Sequence, residues 1–119
     1  MILIIDTTDK DCVVSLHDGD NIDSRKWQWE KDTGTEVLRN IKKLLEKHKK
    51  KLVDIKAILV NAGPGSFTGV RVGVTVANTL GWTLNIPVIG YRDGELDKLL
   101  SRKFTQTKFS KPVLPYYSK

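Results

Sequence analysis

Three groups of residues in this sequence have side chains or spacing that could do chemistry. The first is Asp6, which closes an apolar run and leads into Thr7-Thr8-Asp9-Lys10-Asp11. An aspartate at such a strand end can help hold a cation and its phosphates. This turn carries three acids and no glycine, and negative charge beside a phosphate is unfavourable without a cation. The competing reading is that Asp6 accepts hydrogen bonds from N–H groups of its own turn. The second is the loop Gly63-Pro64-Gly65-Ser66-Phe67-Thr68-Gly69, which follows Ile58-Leu59-Val60 and opens a helical pattern. Free N–H groups at a helix start can hold an anion, a helix cap or a partner's backbone. No lysine follows the last glycine, so it is not a Walker loop. Ser66 is a nucleophile only with a positioned base, and no motif links it to His17 or His48; capping the helix is the simpler role for Ser66 or Thr68. The third is the metal-ligating set. Cys12 is alone in an apolar alternation, which predicts a buried thiol. The histidines are isolated, so neither a metal nor a cofactor is expected.

At 119 residues the chain can form one core. Hydrophobic content of 39% is slightly low and charged content of 29% slightly high for a globular protein. A net charge of +6 fits either a polyanionic partner or a lysine-rich solvated surface. Met1 leads directly into a strand-like run with no basic leader, and no apolar run approaches a membrane span. The expectation is a soluble cytoplasmic protein with no membrane partner.

Ile2-Leu3-Ile4-Ile5 reads as a central strand buried on both faces. Val13, Val14 and Leu16 mark a second strand, and the turn Asp18-Gly19-Asp20-Asn21 joins it to a third over 22–29, with Arg25, Trp27 and Trp29 on one face. Thr33 or Thr35 caps a first helix, whose apolar face carries Val37, Leu38, Ile41, Leu44, Leu45 and His48. Arg39 and several lysines cover the rest. Residues 56–60 form a fourth strand, and a second helix runs from about Phe67 to Leu84. Val88-Ile89 makes a fifth strand, and Leu96, Leu99 and Leu100 suggest a third helix. The expected domain is 1–103, with 104–119 an extended basic tail. The order β-β-β-α-β-α-β-α is a meander followed by two crossover units, which implies a mixed five-stranded α/β sheet. It is the order of a single actin-like, or RNase H-like, lobe.

The second helix is unusual. Gly69, Gly73, Ala77 and Gly81 recur every four residues, a stripe that lets another backbone approach closely. Val72, Val76, Leu80 and Leu84 make an apolar stripe expected to pack on the sheet. Arg71, Thr75, Asn78 and Trp82 share another side. Such an uncharged helix is covered on more than one side, either by its own domain or by a protein partner.

The run Gly63–Gly73, G-P-G-S-F-T-G-V-R-V-G, resembles the signature of the TsaB (YeaZ) family. The opening I-D-T stretch within Met1–Thr8, Asp54-Ile55, and Ile86-Pro87-Val88-Ile89-Gly90 match in the same order. The resemblance implies an actin-like fold and a non-catalytic subunit of the machinery that makes threonylcarbamoyladenosine in tRNA. It implies binding to TsaD, the threonylcarbamoyl-transferring subunit, through the helices matching 35–49 and 67–84. Val37, Ile41, Gly69, Arg71, Gly73, Thr75, Ala77, Asn78 and Trp82 are then the expected partner-binding residues. It leaves room for a TsaE-like ATPase as a further partner, a weak tRNA contact, and a homodimer when the chain is alone. The chain resembles the family's N-terminal lobe. Where members carry H-S-E this sequence has Gly34-Thr35-Glu36, so a role for that histidine does not transfer; where Ser-Ser is common it has Tyr91-Arg92-Asp93.

Two other readings stand beside the scaffold. One is a nucleotide-binding or hydrolysing actin-like enzyme using Asp6 and the Gly63–Gly69 loop. The other is a tRNA-binding accessory module built on the lysine-rich first helix and the tail.

Overall fold

The continuous apolar run at the start of the chain becomes the middle of the sheet. The structure is a computed structural model, which describes residues 1–29, 33–100 and 108–115. Strand β1 (Ile2–Asp6) pairs antiparallel with β2 (Asp11–Asp18), which pairs antiparallel with β3 (Asn21–Gln28). On its other side β1 pairs parallel with β4 (Ala57–Asn61), and β4 with β5 (Val88–Tyr91). The spatial order is therefore β3-β2-β1-β4-β5. The parallel pairs require crossovers, and helices α1 (Thr33–Lys47) and α2 (Phe67–Leu84) supply them.

Alternation along the strands splits the core into two layers. Leu3, Ile5, Val14, Leu16, Ile58 and Val60 face α1 and α2. Ile4, Leu59 and Tyr91 face the other way, where Ile2, Ile89 and a short third helix, α3 (Leu96–Leu100), cover them. Burial on both faces explains why β1 and β4 are apolar throughout.

Local chemistry fixes the helix ends. Ser66 is the N-cap of α2, its Oγ accepting from Gly69 N at 3.1 Å. Asn85 ends that helix in the left-handed region, φ 53°. Helix α1 already includes Thr33 and Thr35, which places both inside the helix rather than at its cap. Its predicted apolar face is cut short: His48 lies beyond the last turn, exposed, and hydrogen-bonds Asp23 Oδ2 at 2.8 Å.

Part of the predicted basic tail can be placed. Residues 108–115 form neither helix nor strand, yet they lie against the protein rather than extending away from it. Phe109 and Val113 pack on the core layer beneath α1 and α2. The Asn78 amide holds the Val113 main chain from both sides: Nδ2 donates to its carbonyl at 2.9 Å and Oδ1 accepts from its N–H at 2.8 Å. The rest of the tail, 101–107 and 116–119, lies outside the described residues.

Candidate functional site

The glycine loop sits on the Thr7-Thr8 dipeptide at the end of β1. A Cβ at Gly65 would fall 2.6 Å from the Thr8 carbonyl oxygen; one at Gly69 would meet the Thr7 carbonyl oxygen and Ser66 Oγ, and one at Gly73 would meet Thr7 Oγ1. Thr7 is 1% exposed, and its hydroxyl donates to the Gly69 carbonyl at 2.6 Å. The stripe of small residues therefore does admit a close backbone approach, and the backbone is the chain's own. In the sequence Thr7 appears only as part of the I-D-T stretch, with no role attached to it. Its role follows from register, because β1 and β4 lie side by side and α2 starts where both end.

Three of the loop's N–H donors, and that of Val70 after it, are engaged internally. Gly63 N donates to Asn61 Oδ1 at 3.0 Å, Ser66 N to the Thr8 carbonyl at 3.0 Å, Gly69 N to Ser66 Oγ and Val70 N to the Ser66 carbonyl at 3.0 Å. Pro64 has no N–H. Asp6 makes the turn contact expected of it, Oδ1 accepting from Thr8 N at 3.0 Å and Thr8 Oγ1 at 2.7 Å. Buried Asn61 joins two carboxylates, its Nδ2 donating to Asp6 Oδ2 at 3.1 Å and Asp93 Oδ1 at 3.0 Å. Asp6, Asp9, Asp11 and Asp93, with Gly65 and Ser66, line a cavity of about 630 Å³. Its walls are acidic, which opposes a bare phosphate. Burial, reinforced by Asp6 and Asp93, pushes the Tyr91 hydroxyl up. Burial, then the carboxylates of Asp6, Glu36, Asp11 and Asp9, raises the Cys12 thiol to about 11, so it behaves as a buried apolar group.

The predicted partner-binding residues separate into two sets. Val37, Ile41 and Ala77 are fully buried in the core, and Gly69 and Gly73 are buried against β1. Asn78 is occupied by Val113. None of these presents a free surface. Arg71, Thr75 and Trp82 do lie outward, and Trp82 is 73% exposed. Thr79 shares that side, and Leu38 on the neighbouring α1 is 49% exposed. The sheet side of α2 differs from expectation too. Val70, Val74 and the small residues face the sheet, while Val72, Val76 and Leu80 form a half-buried flank, because the glycines bring α2 too close for larger side chains.

A family model described as "TsaD: tRNA N6-adenosine threonylcarbamoyltransferase" matches residues 31–118. The tRNA threonylcarbamoyladenosine biosynthesis protein TsaB of Buchnera aphidicola subsp. Schizaphis graminum is 34% identical over 90 residues, 76% of this chain and 43% of that protein. The protein of the same name from Escherichia coli K12 is 33% identical over 89 residues, 75% of this chain and 38% of its own. The solved structure of YeaZ from Pseudomonas aeruginosa superposes with a TM-score of 0.73 at 29% identity, covering 77% of this chain and 43% of that one.

The chain belongs to the TsaB/YeaZ family. It spans less than half the length of these relatives. The superposition shows the actin-like, RNase H-like fold in the five-stranded sheet. Among the described residues no helix is long and apolar enough to cross a membrane.

Proposed function

We propose that this TsaB-family chain is a non-catalytic cytoplasmic subunit that binds a TsaD-like transferase and supports formation of N6-threonylcarbamoyladenosine in tRNA. The observation that carries the reading is Trp82, 73% exposed on a helix whose only charged residue is Arg71. A large aromatic ring left in water costs solvation, and aromatic and arginine side chains are the types enriched at interface hot spots. Arg71, Thr75, Thr79 and Trp82 on α2, with Leu38 on α1, form the proposed docking face. The same face would pair with its own copy across a two-fold axis when the transferase is absent. Light scattering of the isolated chain at high micromolar concentration is expected to report a dimer; a monomer there would remove the self-pairing claim.

The nucleotide-enzyme reading loses support at the loop. Three of its N–H groups, on Gly63, Ser66 and Gly69, are engaged internally, and Ser66 caps a helix while His48 is tied to Asp23. Co-expression with a tagged TsaD-like subunit tests the proposal: the two should co-purify in a stable ratio. Calorimetry of the chain with ATP, with and without magnesium, separates the readings. Saturable heat with ATP and no co-purification would favour the enzyme.

A further inference from the structure

Residues 39–56 contain seven lysines, one arginine and two carboxylates, Glu46 and Asp54, a net +6. The whole chain is also +6, so the remaining residues balance to zero, the five cations of 101–119 being offset by carboxylates elsewhere. The fold concentrates the charge of residues 39–56. Arg39, Lys42, Lys43 and Lys47 fall on the outward arc of α1, opposite buried Val37, Ile41 and Leu44. Lys49, Lys50, Lys51 and Lys56 continue toward β4, where Lys56 N donates to the Met1 carbonyl at 2.8 Å. This end of the stretch therefore lies at the start of β1 and β4. The carboxylates Asp6, Asp9, Asp11 and Asp93 line the cavity at the opposite ends of those strands. The lysine-rich stretch makes a basic pole, to which the β2–β3 turn also brings Asp18 and Asp20, and the opposite ends of the strands are acidic.

Some of the charge is neutralised: Lys47 meets Asp23 at 2.8 Å, Lys50 meets Asp18 at 3.8 Å and Lys42 meets Glu46 at 3.9 Å. The side-chain cations of Arg39, Lys43, Lys49, Lys51 and Lys56 form no salt bridge among the described residues, although the Lys51 main-chain N–H donates to Asp54 Oδ2 at 2.8 Å. Lys49 adds an independent observation. It follows the end of α1 with φ 56°, in the left-handed region where glycine or asparagine is usual. A lysine there breaks a local rule, and such breaks mark function more often than chance would.

We propose that this basic pole docks the phosphodiester backbone of tRNA. The proposal rests on the function argued above for the identity of the RNA, and on charge and geometry for the surface. From Arg39 to Lys47 the stripe runs roughly 12 Å at a helical rise, and Lys49, Lys50 and Lys51 extend it past the helix end, which suits a line of phosphates better than a single anion. Lysine ammonium groups act as point charges, and the stretch has no Phe, Trp or Tyr for stacking on bases. Contact is therefore to the backbone and insensitive to sequence.

The test is binding of the full chain to a labelled tRNA transcript across a salt series. Four or five phosphate contacts should weaken binding roughly 150- to 500-fold between roughly 50 and 200 mM salt. Replacing Lys43, Lys49 and Lys51 together by Glu should flatten the log–log slope by about 2–3 and leave co-purification with the TsaD-like subunit intact. Lys49→Gly should raise the melting temperature while weakening tRNA binding, which separates the charge from the fold. A flat salt series, or a triple variant that binds tRNA like the parent, would overturn the proposal. So would lysine-dependent binding to phosphatidylserine vesicles without binding to tRNA, an outcome made relevant by exposed Leu52 and Val53 in the same connection. If tRNA binds as expected but the TsaD-like subunit does not, the basic pole stands and the scaffold reading falls.

Discussion

Gly69→Ala tests whether the glycine signature is a socket for Thr7 rather than a ligand cradle. The added methyl group meets the Thr7 carbonyl oxygen, which is backbone at the end of a central strand, and the Ser66 hydroxyl that caps α2. Overpacking a rigid contact costs about 1–3 kcal/mol. Disturbing the cap adds roughly 0.5–2 kcal/mol, and alanine's better helix propensity returns about 1 kcal/mol. The net loss is roughly 0.5–4 kcal/mol, and at roughly 4 °C per kcal/mol for a chain of this size the melting temperature falls by roughly 2–16 °C. Gly34→Ala is the matched control. It lies in α1 with nothing within 4 Å of an added Cβ, so it is expected to be neutral or stabilising by up to about 1 kcal/mol. Thermal unfolding by circular dichroism reads both variants. If Gly69→Ala melts with Gly34→Ala, at or above the parent, the socket does not exist as described.

Two further perturbations address other parts of the fold. Asn78→Ala removes both hydrogen bonds to the Val113 main chain, and hydrogen exchange should show the Val113 amide losing its protection while the amides of β1 and β4 keep theirs. Asp23 is held well below the usual carboxylate range by hydrogen bonds from Lys47, His48 and its own Ser24 N–H. A depressed carboxylate contributes stability above its unfolded value, about 3.9, and loses it as pH falls through the lower folded value. The stability gap between the parent and Asp23→Asn should therefore be full near neutrality and shrink only below about pH 4; a gap that grows on acidification would reverse the sign and contradict the assignment.

The sequence carried the architecture because the informative patterns are local. Ile2–Ile5 has the run of a doubly covered strand, and Ser66 before an apolar helix has the chemistry of a cap. The exposed side of α2 was legible as well, since 3.6-residue periodicity separates Trp82 from the small residues. What stayed hidden depends on pairs far apart in the chain. Thr7 lies 62 residues from Gly69, and only the β1–β4 register brings them together. The glycine stripe therefore predicted a close approach without saying that β1 makes it. Asn78 looked like an interface residue because its partner, Val113, lies in an aperiodic polar segment. Val37 and Ile41, expected on a docking face, are turned inward by the same periodicity and buried in the chain's own core.

The central claim is that the outward side of α2 binds a TsaD-like subunit, and Trp82→Ala reads it directly. The ring is 73% exposed, so its removal should leave the isolated chain's stability within about 0.5 kcal/mol. As an interface anchor it should be worth about 2 kcal/mol or more, roughly a 30-fold loss of affinity for the transferase by calorimetry. A variant that folds like the parent and binds about 30-fold more weakly is the expected result. A variant that binds with the parent's affinity, or one that loses binding only because it unfolds early, would contradict the claim.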